Sequence, residues 1–131
     1  MIKGLAHVGI RVHDVDRSVA FYAVLGFKKT LGPVGPERVV ILESDSGVEI
    51  NLIPNAPDAA EPNVLMDVPA KHPGITHIAL HVDNLEAARA TVEAAGIALS
   101  GGPVQFTATA RGFFIRDPDR TVIEIHESSE R

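Results

Sequence analysis

Thr76-His77-Ile78-Ala79-Leu80-His81-Val82 decides the fold, because it nearly repeats Ala6-His7-Val8-Gly9-Ile10-Arg11-Val12 seventy residues earlier. The same offset pairs Ala20 with Ala90, Gly26 with Gly96, Gly32 with Gly102, Pro33 with Pro103 and Val34 with Val104. A register held over that span points to duplication of one structural unit. Further along, the halves realign at an offset of 75, laying Val48-Glu49-Ile50 over Ile123-Glu124-Ile125. On that alignment each half supplies one His and one Glu at equivalent places.

Outward from these stretches, each half reads as strand, helix, then three strands. Leu5 to Val12 alternates, with Val8, Ile10 and Val12 on one face and His7, Gly9 and Arg11 on the other, as in a strand packed on one side. Asp14-Val15-Asp16 offers N-caps for a helix carrying Val15, Val19, Tyr22 and Leu25, with Tyr22 in the core and Gly26 as the stop. Strands are expected over Phe27–Leu31, Arg38–Glu43 and Val48–Ile53, with Gly32-Pro33-Val34-Gly35-Pro36 as a rigid turn. The second half repeats this pattern: strand Ile75–Val82, helix from about Asn84 to Ala95, short strand Ile97–Ser100 and turn Gly101-Gly102-Pro103. Strands around Gly112–Arg116 and Thr121–His126 follow, joined by the turn Asp117-Pro118-Asp119-Arg120. The charged tail Glu127–Arg131 is expected to fray.

The organisation is therefore one domain over 1–131, with module 1 at 1–53, module 2 at 75–131 and a connecting arm over 54–74 that carries five of the nine prolines. Within the arm, Val64-Leu65-Met66 is available to dock on a partner. The length suffices for a continuous core. Apolar residues at 45%, charged residues at 22% and a net charge of -5 describe a soluble globular chain with no nucleic-acid surface. No apolar run nears the ~20 residues that span a bilayer, and strand pattern begins close to Met1, so the expected compartment is the cytoplasm. The absence of cysteine excludes disulfides, thiol nucleophiles and zinc-thiolate sites.

Strand parity gathers the chemistry. Glu49 and Asn51 oppose Val48, Ile50 and Leu52, while Val122, Glu124 and His126 oppose Ile123 and Ile125. His7, Glu49, His77 and Glu124 are thus the candidate metal ligands. Two imidazoles and two carboxylates suit one divalent first-row ion per site, such as Ni, Co, Zn, Mn or Fe. Taken singly, each is better read as a polar residue on a solvated sheet face; symmetric recurrence favours the metal. Arg11 and His81 lie two strand positions beyond His7 and His77, and are candidates to bind substrate. His13, His72 and His126 have no such pairing and are read as solvated.

His7-Val8-Gly9-Ile10-Arg11-Val12, Arg17-Ser18-Val19-Ala20-Phe21-Tyr22, Leu25-Gly26-Phe27, His77 to Val82 and Arg116 to Glu124 together resemble the vicinal oxygen chelate superfamily. That group includes glyoxalase I, methylmalonyl-CoA epimerase, fosfomycin-resistance transferases, extradiol dioxygenases and bleomycin-resistance proteins. The resemblance covers nearly the whole chain outside the arm. It implies an α+β fold in which two paired βαβββ modules form a half-open β-barrel with helices on the outside. It also implies a metal between modules, within one chain or across a dimer. His7, Glu49, His77 and Glu124 match the metal positions of glyoxalase I, and Arg11 matches its glutathione-binding arginine. Ile53 departs from an Asn usual there, and Glu49 departs from the Gln usual in the epimerase.

The implied function is a divalent-metal-dependent lyase or isomerase of the glyoxalase type. It would remove a proton next to a carbonyl of a small oxygen-chelating substrate, with Glu49 or Glu124 as the base. The alternatives are an extradiol-type Fe(II) dioxygenase and a metal-free drug-binding resistance protein. The second of these is motivated by the acidic balance and by Phe106, Phe113 and Phe114. A homodimer is expected, because a half-open barrel exposes sheet edges.

Overall fold

The computed structural model describes residues 1–58 and 62–129; residues 59–61 and 130–131, which include part of the expected arm and the end of the tail, lie outside the described residues. The chain divides into two compact units, Met1–Ala59 and Ala60–Arg131.

In the first unit β1 (Val8–Arg11) leads to α1 (Val15–Val24), then β2 (Phe27–Val34), β3 (Val39–Ser44) and β4 (Glu49–Ile53). Asp14 caps α1 by accepting a hydrogen bond from the Arg17 amide at 3.2 Å, and Gly26 follows the helix at φ +94, a conformation glycine adopts without strain. The sheet order is β1-β4-β3-β2, with β1 parallel to β4 and the other neighbours antiparallel. Alternation decides which face is covered. Ile10, Val12, Val40, Leu42, Ile50 and Leu52 are buried, as are Ser18, Phe21 and Tyr22 of α1. Tyr22 sits edge-on between Phe21 and Phe27, with ring centroids 5.0 and 6.1 Å away. Burying each large aliphatic side chain here contributes about 2 kcal/mol.

The second unit repeats the plan with β5 (His77–His81), α2 (Leu85–Ala94), β6 (Gly101–Gln105), β7 (Ala110–Arg116) and β8 (Val122–Ser128), in the order β5-β8-β7-β6. Asn84 caps α2 through the Ala87 amide at 3.0 Å. Phe113, Ile115, Ile123, Ile125, Leu85 and Val92 form its core. The class is α+β, built from two βαβββ modules that each carry a mixed four-stranded sheet.

Three expectations are corrected. Gly32-Pro33 and Gly102-Pro103 lie inside β2 and β6 rather than in turns, and residues 97–100 form no strand. Both strands are sheet edges, where proline's missing amide donor is tolerated, and both show register shifts at this point. The tail is not frayed as far as it is described. β8 runs to Ser128, and Glu127 binds Arg111 Nε at 2.8 Å and the Leu85 amide at 2.8 Å.

Across its described residues the arm has no helix or strand, as expected, yet it is fastened at both ends. The Ala56 amide donates to Val12 O at 3.0 Å in the first unit. In the second, Asp67 receives both terminal nitrogens of Arg116 at 2.8 and 2.9 Å, and Asn63 Nδ2 donates to Arg120 O at 3.0 Å. No helix among the described residues is long and apolar enough to cross a membrane.

Candidate functional site

Module 2 holds the better-organised polar cluster. β5 and β8 run parallel with His77 opposite Val122, Ala79 opposite Glu124 and His81 opposite His126, so these side chains share the sheet face away from α2. Glu124 is only 7% exposed, flanked across the strands by Ala79 and Phe114. A buried carboxylate needs compensation. It comes from two imidazoles: His77 Nε2 lies 3.1 Å from Oε1, and His126 Nδ1 lies 2.7 Å from Oε2. Thr76 Oγ1 lies 2.8 Å from His77 Nδ1, which fixes the other side of that ring.

His126 is therefore part of this polar cluster, although the sequence reading placed it in solvent. Its spacing of two from Glu124 within one strand was the available signal, and the lack of a counterpart in module 1 obscured it. Phe106 stacks on His126, with centroids 5.9 Å apart and planes within 7°. Phe114 stands edge-on to both Phe106 and His77, at 6.2 and 6.0 Å.

Module 1 is looser. His7 precedes β1, and its Nδ1 lies 3.6 Å from Glu49 Oε2, an ion-pair separation beyond hydrogen-bond range. The register also changes the internal alignment. Gly9 faces Asn51 where Ala79 faces Glu124, and Ile41 faces Asn51 where Phe114 faces Glu124. The strands after β2 are thus related by an offset of 73, and the structural counterpart of Glu124 is Asn51. Glu49 sits two residues earlier on the same face, where module 2 has Val122. The expected overlay of Glu49 on Glu124 fails because a strand shifted by two residues keeps its facing, so alternation cannot detect the slip. Asn51 Oδ1 is closed off from solvent and has no hydrogen-bond partner among the described residues.

Of the two candidate substrate binders, Arg11 donates from Nη1 to Pro54 O at 2.7 Å and lies 3.9 Å from Glu37. His81 Nδ1 is 3.3 Å from His126 O, with its ring 5.8 Å from that of His126. Both are exposed. Elsewhere in this unit, hydrogen bonds from Arg111 hold Glu127 and Glu86 below the usual carboxylate range, and Arg116 does the same for Asp67. These pairs brace the sheet around the site.

Within the second unit the donor types, imidazole nitrogens and a buried carboxylate, suit a borderline divalent ion. Among the described residues, however, no group of three or more His, Asp or Glu is already arranged as a metal cage.

The comparisons with known proteins bear on the fold and family. SMU.1112c is 26% identical with a TM-score of 0.78, covering 97% of this chain and 100% of that one. The fosfomycin resistance protein FosX from Listeria monocytogenes is 16% identical with a TM-score of 0.75, covering 99% and 94%. TnmS3, an antibiotic binding protein from Streptomyces sp. CB03234, is 22% identical with a TM-score of 0.73, covering 98% of each chain. A search of curated proteins finds no match. The family model for the Glyoxalase/Bleomycin resistance protein/Dioxygenase superfamily matches residues 4–125, nearly the full length, and the chain belongs to that superfamily.

Proposed function

We propose that this protein is a divalent-metal-dependent lyase or isomerase of the glyoxalase type, moving a proton next to a carbonyl of a small substrate with vicinal oxygens. The observation that carries the reading is the Glu124 carboxylate, buried in a sheet face and held through both oxygens by His77 and His126. Two imidazoles converging on one buried carboxylate bring together donors of the kinds that a borderline divalent ion takes.

The ligand set is His7, Glu49, His77 and Glu124, with the Asn51 amide oxygen as a further donor at the position matching Glu124. An ion held there, one per site from among Ni, Co, Zn, Mn and Fe, would supply Lewis-acid polarisation of the substrate oxygens. Glu49 has the freer carboxylate, with a single contact at 3.6 Å and about a quarter of its side chain exposed, so it takes the proton from the substrate carbon and returns it. Glu124, anchored on two rings, keeps its position. Arg11 and His81 orient the polar end of the substrate.

The test is metal analysis after gentle purification and loading, followed by turnover of hemithioacetals made from methylglyoxal and several thiols. Uptake of about one ion per site with metal-dependent turnover is expected. No turnover with any thiol across Ni, Co, Zn and Mn would overturn the glyoxalase-type reading. A second reading, a metal-free binder of drug-like molecules, is favoured by the exposed Phe106 ring and by the likeness to TnmS3. It predicts ligand binding in protein that takes up no metal under any loading.

A further inference from the structure

Phe106 follows β6 directly and leaves 40% of its surface exposed, an apolar ring open to solvent beside the most polar cluster in the unit. It is nevertheless fixed. Its amide donates to Ala110 O at 2.8 Å, its ring lies within 7° of parallel to His126, and Phe114 closes one edge at 85°. The ring lies over Gly112, where a side-chain Cβ would come 2.9 Å from Phe106 Cε2 and 2.6 Å from Ile125 O. Glycine at this position is what allows the ring to lie down.

None of this is required by the duplicated fold. At the corresponding register positions module 1 has Val39 for Gly112, Ile41 for Phe114 and Ile53 for His126. It thus has a side chain where the ring needs none, and no imidazole to stack against. The hairpin also spans more residues in module 2: Val34 pairs with Val39, whereas Val104 pairs with Gly112. Phe106 sits in the added length.

We propose that the flat face of Phe106 is a binding platform for an aromatic or comparably planar apolar group of the substrate, whose vicinal oxygens lie toward His77 and Glu124. A ring already oriented by three neighbours loses little freedom on stacking, and aromatic stacking favours offset or edge contacts of the kind this cluster presents. This inference names the substrate class for the function proposed above and rests on that reading for the role of the oxygens.

The experiment compares two neutral vicinal diols that differ only in phenyl against methyl, 1-phenyl-1,2-ethanediol and 1,2-propanediol. They are titrated into the full chain, metal-free and zinc-loaded, with NMR of the Phe106 ring and the Gly112 amide as readout. The phenyl compound is expected to bind about tenfold more tightly and to shift both signals. Phe106→Ala should abolish that preference, so that the two diols bind alike. Phe106→Leu, which retains apolar volume without a ring, should also lose most of it, and covers the case in which the alanine variant folds poorly. Equal binding of the two diols, shifts that map away from Phe106 and Gly112, or a preference that survives both substitutions would overturn the proposal. Failure of the metal-dependent reading has a different signature: zinc would strengthen neither diol, and the phenyl preference would persist in metal-free protein.

Discussion

At the scale of single residues, three side-chain oxygen donors stand in different surroundings. Glu124 is anchored, Glu49 is loosely paired and Asn51 has a shielded amide oxygen with no partner among the described residues. Removing each should therefore do something different. Glu49→Gln is expected to lower kcat by about a hundredfold or more even at saturating metal, the usual contribution of a positioned base, because the amide keeps an oxygen donor but cannot take a proton. Asn51→Ala should instead weaken metal uptake, with kcat largely recovered at saturating metal. Metal titration beside steady-state kinetics separates the two, and a Glu49→Gln protein with unchanged kcat would remove Glu49 as the base. His126 makes a related point. The alternation that placed Glu124 on the site face also placed His126 there, but an isolated His at a strand end carries no sign that it will meet a carboxylate two residues away.

At the scale of elements, the repeat made the topology legible. Both helices with their Asp14 and Asn84 caps, the glycine stops, and the β4 and β8 core positions all follow from local chemistry that reads the same in sequence and structure. Pairing register was hidden, because it is set by cross-strand partners that one strand's sequence does not name. Gly-Pro at positions 32–33 and 102–103 reads as a turn, and only the edge location of β2 and β6 lets it belong to a strand. The ties between elements were equally invisible. Arg111 joins Glu86 of α2 to Glu127 of β8, each at 2.8 Å, and holds both carboxylates below their usual range. A lowered carboxylate contributes stability that is present above its unfolded value near ~4 and lost as pH falls through its folded value. The urea midpoint of the wild type should accordingly drop between about pH 5 and pH 2, and Arg111→Met should flatten that drop while lowering the midpoint at pH 7. An identical acid profile in the variant, followed by circular dichroism, would show that the pairs contribute nothing.

At the scale of the whole molecule, we propose a homodimer. The motivating residues are again a repeated pair: Leu5 and Ile75, one repeat apart and just ahead of edge strands β1 and β5, are 82% and 85% exposed. Two large apolar side chains left in water beside unpaired strand edges favour symmetric association. Sedimentation at working concentration is expected to give the dimer mass, and Leu5→Glu with Ile75→Glu should shift it toward monomer. A wild-type protein that sediments as a monomer would end the dimer proposal. Mixing a His7→Ala subunit with a His77→Ala subunit then asks which chain supplies each half of the ligand set. Recovered activity means the halves come from different chains, and two inactive parents that stay inactive mean that one chain supplies both.

The unequal hairpins have an evolutionary consequence. Val34 and Val39 close the first with four residues between paired positions, Val104 and Gly112 the second with seven, while the strands beyond keep matching partners. The added residues of the second module fall between β6 and β7, and the β7–β8 ladder still keeps the register of β3–β4. Homologues adapting to new compounds are expected to vary in this hairpin sooner than in any strand. A graft of the 105–111 segment between relatives is the smallest exchange that should carry a ligand preference with it.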